Sequence, residues 1–272
     1  MSALQSNAKT FNPNNLQLVE VARYQRTIYA PLERVWENVL DWEHLPHLHA
    51  SSFDYIELDD GGKWGWRTWA DAAHAGHVEL CVASRSSYVA RSYTGGEQVS
   101  EIWTTLEPQA ENTNIEVAFH FPNVEESAAA GLGEMMLALY TQLWSEDESM
   151  MRERHRRLRE RRDASHAITL GDRDALMRRL EEGETILFQL KRREYQLRYH
   201  NGDLIAHPSI CPHLMGPLID SDLSNGRLTC PWHGYQFDLA TGACLTPADA
   251  TCSLPANATL AQNINDIIAT TD

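Results

Sequence analysis

Positive charge is in short supply. The 272 residues carry 23 Lys and Arg against 38 Asp and Glu, a formal charge of −15 at pH 7. A surface of that sign repels phosphate backbones and excludes a nucleic-acid partner. Long apolar runs are also missing: no stretch approaches the roughly 20 residues that a membrane-crossing helix needs, so no membrane role is expected. The first residues, MSALQSNAKTFNPNN, lack the apolar core of a signal peptide, and 1–15 are expected to form a flexible tail. Cysteine is sparse, with five in the chain. Without an export signal they point to the reducing cytoplasm, where Cys near His more often means metal than disulfide. There is no internal repeat, no long low-complexity segment, no Gly-rich dinucleotide fingerprint and no flavin motif.

What is present describes a globular protein of one large or two ordinary domains, 43% hydrophobic and 22% charged. TIYAPLERVWENVLDWEHL begins as a short strand. Pro31 then sits where a helix can start, and Leu32, Val35, Trp36, Val39 and Leu40 recur at helical spacing. Between 51 and about 122 the period falls to two, as in Trp64, Trp66 and Thr68, or Ile115, Val117, Phe119 and Phe121. Gly61-Gly62 and Gly95-Gly96 punctuate these runs, the pattern of an antiparallel meander. From about 128 to 162 the helical period returns, with Met136, Tyr140, Leu143, Trp144, Met150 and Met151 on one stripe. The basic run MRERHRRLRERRD reads as a solvated helix end that complements the dipole, with a docking patch for an acidic partner as the alternative. A helical piece, DRDALMRRLEEG, and the strands TILFQL, EYQLRY and DLIAH follow. The expected fold is α+β, with an antiparallel-sheet domain closed by a long helix over 16–164 and a small, mostly β domain over 165–272.

Residues 211–238, CPHLMGPLIDSDLSNGRLTCPWHGYQFD, hold C-x-H, sixteen intervening residues, then C-x-x-H. Each half offers one thiolate and one imidazole. Two Cys suit one iron and two His the other, the ligand split of a [2Fe–2S] centre with a raised potential. Zinc is the alternative, although its pairs usually group like ligands. The spacing, Gly216-Pro217-Leu218, PWHGYQFD, LATG at 239–242 and Pro247 together resemble the Rieske iron–sulfur family over most of 166–260. The resemblance implies that Cys211 and Cys230 hold one iron while His213 and His233 hold the other near the surface, as the electron exit. Cys244 and Cys252 lie outside the cluster loops and read as ordinary thiols, which favours the oxygenase or ferredoxin branch.

Upstream, Asp41-x₂-His44-x₄-His49 offers two imidazoles beside a carboxylate, a set that leaves open positions on Fe(II) for O₂ and substrate. With Glu37 and Asn38 it resembles the E-N-x-x-D-x-x-H-x-x-x-x-H segment of Rieske non-haem iron oxygenase α subunits. That resemblance makes His44 and His49 ligands of a mononuclear Fe(2+). Asp41 becomes the electron relay, bridging to a cluster ligand of a neighbouring subunit. The same stretch, APLERVWENVLDWEHLP, also fits the metal-free members of the helix-grip (START/Bet v 1-like) fold. A third ligand is expected on the long helix. Asp147 lies three, four and seven residues after Trp144, Leu143 and Tyr140, so it points with the apolar stripe, where a carboxylate needs compensation. Glu146 and Glu148 fall off that stripe and are expected in solvent. His47 reads as solvent-facing or as supporting the ligands, and His74, His77 and His120 as surface or pocket polar groups.

By resemblance, then, the chain is a terminal oxygenase component that hydroxylates or demethylates a small organic, possibly aromatic, substrate with O₂. Its electrons would come from a separate NAD(P)H-dependent reductase, with a ferredoxin as a candidate intermediary. Trp64, Trp66, Phe119, Phe121 and Tyr140 are candidate cavity walls, or plain core. The family's α subunits place the Rieske domain first and assemble as homo-trimers. Here the order is inverted, which leaves open whether electrons cross a subunit interface in a homo-oligomer. The reading from another class is an electron carrier or sensor fused to a metal-free ligand-binding domain.

Overall fold

The computed structural model describes residues 16–160, 165–219 and 221–271; the expected tail at 1–15 lies outside them. The chain divides into two compact units, Met1–His155 and Arg156–Asp272.

In the first unit, β1 (Leu18–Ile28) leads through Pro31, the N-cap, into α1 (Leu32–Val39) and the single turn α2 (Leu45–Leu48). A meander follows: β2 (Glu57–Gly62), β3 (Gly65–Trp69), β4 (Gly76–Ser84), β5 (Ser87–Thr94), β6 (Glu97–Gln109) and β7 (Asn112–Pro122). These make one antiparallel seven-stranded sheet in the order β1-β7-β6-β5-β4-β3-β2. The long helix α3 (Glu126–Arg159) closes the unit. Period-two side chains explain the arrangement: Leu80, Ile102, Leu106, Ile115, Val117 and Phe119 face inward and bury against Met136, Trp144 and Met151 of α3. Each such side chain contributes about 1.5–3 kcal/mol. A Cβ at Gly133 would lie 2.6 Å from the Val21 carbonyl oxygen, so glycine is what lets α3 approach β1.

The outward face of the same sheet carries charge. Glu79, Arg91 and Glu101 stand opposite one another on β4, β5 and β6. The Arg91 side chain is 2% exposed, with Nε 2.8 Å from Glu101 and NH1 4.0 Å from Glu79.

The second unit is built of three small antiparallel sheets, each of three strands. One contains β8 (Ala167–Asp172), β15 (Thr259–Asn263) and β16 (Asp266–Thr270); another joins β9 (Ile186–Leu190), β10 (Arg193–His200) and β11 (Asp203–Pro208). The third joins β12 (Arg227–Thr229), β13 (Gln236–Asp238) and β14 (Cys244–Thr246). Asp172 caps α4 (Arg173–Glu181) by accepting from the Ala175 amide at 2.9 Å. Leu176 of that helix packs with Phe188, Leu190, Tyr195 and Leu197 in the core. Among the described residues, no helix is long and apolar enough to cross a membrane.

Candidate functional site

Two side-chain constellations carry chemistry, one in each unit. In the first, the turn after α1 is set by Asp41, whose Oδ1 accepts the Glu43 amide at 3.1 Å. This starts α2 at His44, and His49 follows its last residue. Asp147 enters from α3. Its Oδ1 lies 2.9 Å from His49 Nε2 and 3.4 Å from His44 Nε2, and accepts Asn38 Nδ2–H at 2.9 Å. One ligand atom from each of His44, His49 and Asp147 falls within 4.8 Å of the others, and all three residues are buried. Asp41 Oδ2 is 3.7 Å from His44 Nδ1, beyond hydrogen-bond length. Burial opposes the Asp147 charge, but the hydrogen bond from His49 and the nearby His44 outweigh it and hold the carboxyl below its usual range. Burial likewise opposes a charge on His49, and the carboxylates of Asp147 and Glu146 outweigh it and raise that imidazole.

The donor set fits a divalent iron. Two imidazole nitrogens and a carboxylate oxygen within 4.8 Å of one another are donors such an ion would take.

Glu146 is half-buried and Glu148 buried, so neither is the solvated side chain expected. Glu146 Oε2 accepts His49 Nδ1–H at 2.6 Å, and its Oε1 accepts Gln142 Nε2–H at 3.0 Å. Glu148 is buried and pairs with Arg26 at 2.6 Å. Helical spacing gives a direction only relative to the helix's own stripe, and both partners arrive from other elements. His47 is exposed.

A cavity of about 130 Å³ adjoins this constellation. Trp66 and Tyr140 line it, as expected, together with Tyr88, Ala90, Leu143 and Trp144. Trp64, Phe119 and Phe121 do not. Phe119 is core, edge-on to Tyr140 at 4.7 Å, and Trp64 packs on Cys81 and Val89 of the opposite sheet face.

In the second unit two loops close alike. The Cys211 amide donates to Gly216 O and the Met215 amide to Cys211 O; the Cys230 amide donates to Tyr235 O and the Gly234 amide to Cys230 O, at 2.8–3.1 Å. Met215 and Gly234 both adopt a φ of 65°. The loops bring the His213 and His233 rings to 4.7 Å, nearly perpendicular, with His213 stacked on Tyr235 at 4.2 Å. Both cysteines are buried. The Cys211 thiol donates to Cys230, which raises the first thiol and lowers the second. His213 is half-buried, but His233 is only 4% exposed, deeper than expected, because it stands edge-on to both His213 and Tyr235.

A small cluster fits this cradle. Two sulfurs and two imidazoles converge, and a Cβ at Gly216 would fall 2.6 Å from Cys230 Sγ and 3.1 Å from the Trp232 ring. The basic helix end is not wholly solvated. Arg157 is 5% exposed and NH1 donates to Met215 O at 2.8 Å, bracing the turn beside Cys211. Like Glu146, it had no periodic signal in the sequence.

Residues 161–259 match the family model of the Rieske [2Fe-2S] domain. Human apoptosis-inducing factor 3 is 40% identical over 63 residues, which is 23% of this chain and 10% of that protein. The oxygenase component of dicamba O-demethylase from Stenotrophomonas maltophilia is 49% identical over 41 residues, 15% of this chain and 12% of that one. The match thus spans about a tenth of each of these two curated relatives. Among solved structures, the NdmA QL mutant of Pseudomonas putida CBB5 with caffeine aligns at 16% identity and a TM-score of 0.38, over 52% of this chain and 43% of that one. The matched loops at 211–216 and 230–235 and the family match agree: in its C-terminal part the chain carries a Rieske [2Fe–2S] domain.

Proposed function

We propose that the chain is the terminal oxygenase component of a Rieske-type system, acting on a small organic substrate. The observation that carries this reading is the convergence of two buried imidazoles on one buried carboxylate beside an apolar cavity, in a chain that also has a Rieske domain. Residues 16–164 would be the catalytic domain and 165–272 the electron-carrying one. When bound, the cluster supplies single electrons, and the mononuclear iron supplies the place where O₂ is reduced. The chain's own residues do the rest. His44 and His49 hold the ion through Nε2, and Asp147 holds it through its carboxylate. Glu146 keeps the His49 proton on Nδ1, which frees Nε2 to bind. Asn38 steadies the Asp147 carboxylate. The walls of Trp66, Leu80, Ala90 and Trp144 exclude water and receive the substrate. Cys211, Cys230, His213 and His233 hold the cluster, and Asp41 relays electrons towards His44. Electrons would come from a separate NAD(P)H-dependent reductase, directly or through a ferredoxin, in the cytoplasm.

The competing reading, an electron carrier or sensor with a metal-free ligand-binding domain, draws on the same geometry. His49, Asn38 and Asp147 already satisfy one another by hydrogen bonds. Iron analysis of anaerobically purified protein separates the two, with about three irons per chain for the oxygenase and about two for the carrier. His44→Ala should keep the cluster spectrum and abolish substrate-dependent O₂ uptake. Turnover that survives this change would end the oxygenase reading.

A further inference from the structure

The cavity beside His44, His49 and Asp147 has a charge pattern as well as a size. All its acidic lining, Asp41 and Asp147, lies at the end that carries the two imidazoles. Asn38, whose amide donates to Asp147, lies at that same end, and the remaining walls, from α1, α2, β3, β4, β5, α3 and Phe53, are hydrocarbon or aromatic. No Arg or Lys is among the lining residues. The hydroxyls of the lining belong to Tyr88 and Tyr140. Burial raises both phenols, with Asp147 adding to the effect, so both stay protonated and can donate a hydrogen bond. Trp66 Nε1–H is already committed to Val39 O at 3.0 Å.

We propose that this cavity selects an uncharged molecule of one-ring size, such as a substituted benzene with an ether, hydroxyl or carbonyl acceptor, and rejects carboxylates. The inference rests on the oxygenase reading for the word substrate, but the selectivity follows from the walls. The size argument is direct, since an apolar cavity of about 150 Å³ holds one benzene, and this one measures about 130 Å³. A fused bicyclic compound would need the walls to move. The charge argument concerns the apolar walls. Against Val78, Leu80 or Ala90 an ionised carboxylate would be buried with no counter-ion. Nearer the ligands Asp41 and Asp147 together offset the two charges of a bound Fe(II), so no net positive charge awaits a carboxylate there. A neutral acceptor meets the Tyr88 or Tyr140 hydroxyl instead.

The test uses the full chain with its cluster assembled, kept anaerobic, with and without Fe(II) in the mononuclear site. Dissociation constants for toluene, anisole, benzoate and naphthalene are measured by ligand-observed NMR. Toluene and anisole should bind at least tenfold more tightly than benzoate, and more tightly than naphthalene, in both forms. Ala90→Leu, which fills the cavity, should weaken toluene at least tenfold. Should that variant fail to fold, the smaller Ala90→Val should weaken it in the same direction. Benzoate binding as tightly as toluene, naphthalene binding more tightly, indifference to Ala90, or no binding by any probe would each overturn the proposal. The outcomes separate cleanly. A protein with three irons that prefers benzoate loses this inference and keeps the oxygenase reading. One with two irons that prefers toluene loses that reading and keeps the selectivity.

Discussion

Removing the Glu146 carboxylate tests whether the iron ligands are held in place by their neighbours. Glu146 Oε2 accepts His49 Nδ1–H at 2.6 Å, a short, charge-assisted bond that fixes both the tautomer and the ring plane. Loss of such a partner behind a metal-bound histidine typically costs 10–100-fold in metal affinity, about 1.4–2.7 kcal/mol. The Glu146 side chain is 30% exposed, so solvent screens part of the interaction and the loss should lie nearer tenfold. The Gln142 amide, 3.0 Å from Oε1, can remain on Ser51 at 2.8 Å and will not replace the lost acceptor. Glu146→Gln keeps an acceptor oxygen and should lose less than Glu146→Ala. The assay is anaerobic Fe(II) binding to cluster-containing protein in competition with a coloured chelator, and the visible spectrum of the cluster serves as an internal control. A Kd for Glu146→Ala within twofold of the parent, with the cluster intact, would refute the argument.

Gly216→Ala should block cluster assembly, because its Cβ would fall 2.6 Å from Cys230 Sγ; acid-labile sulfide near zero with a folded circular-dichroism spectrum is expected, and full sulfide content would contradict it. Arg91→Ala should destabilise the first unit by about 3–5 kcal/mol, since it leaves the buried Glu79 and Glu101 on the two flanking strands without their cation; urea unfolding measures it, and a loss below about 1 kcal/mol would count against it. His207 is buried, and burial lowers its imidazole to about 4 although its ring donates to Pro208 O at 2.9 Å. A base depressed in the folded state gives stability that is complete above its unfolded value of about 6.5 and is lost as pH falls towards 4, by up to about 3 kcal/mol. The second unit should therefore melt at lower temperature at pH 4.5 than at pH 7, and His207→Gln should flatten that dependence.

The parts of the fold that follow from a residue's own chain neighbours could be read in advance. Ile115, Val117 and Phe119 declare a half-buried strand, and the three-, four- and seven-residue offsets before Asp147 declare its inward direction. β8 and β15 could not be read this way. Both are short and mostly exposed, so their side chains show no alternation, and pairing with β16 makes them strands. In the site, His44 and His49 were legible through the resemblance of their segment and Asp147 through its helical offsets, and the structure brings them together. Glu146, Arg157 and the deep position of His233 were not legible. Each depends on a partner distant in sequence, and neither hydrophobic period nor ligand spacing encodes that partner.

The buried Glu79, Arg91 and Glu101 bear on how the sheet finds its alignment. A slide of β5 by two residues keeps every apolar side chain on its proper side, so oil-and-water sorting alone does not penalise it. Arg91 would then leave both carboxylates and sit opposite Cys81 or His77 on one side and Trp103 or Gln98 on the other. With the buried Arg91 guanidinium parted from its carboxylates, the shifted hairpin would be several kcal/mol worse than the native one. A strand that pairs out of step is thereby penalised where apolar sorting alone is blind to the error.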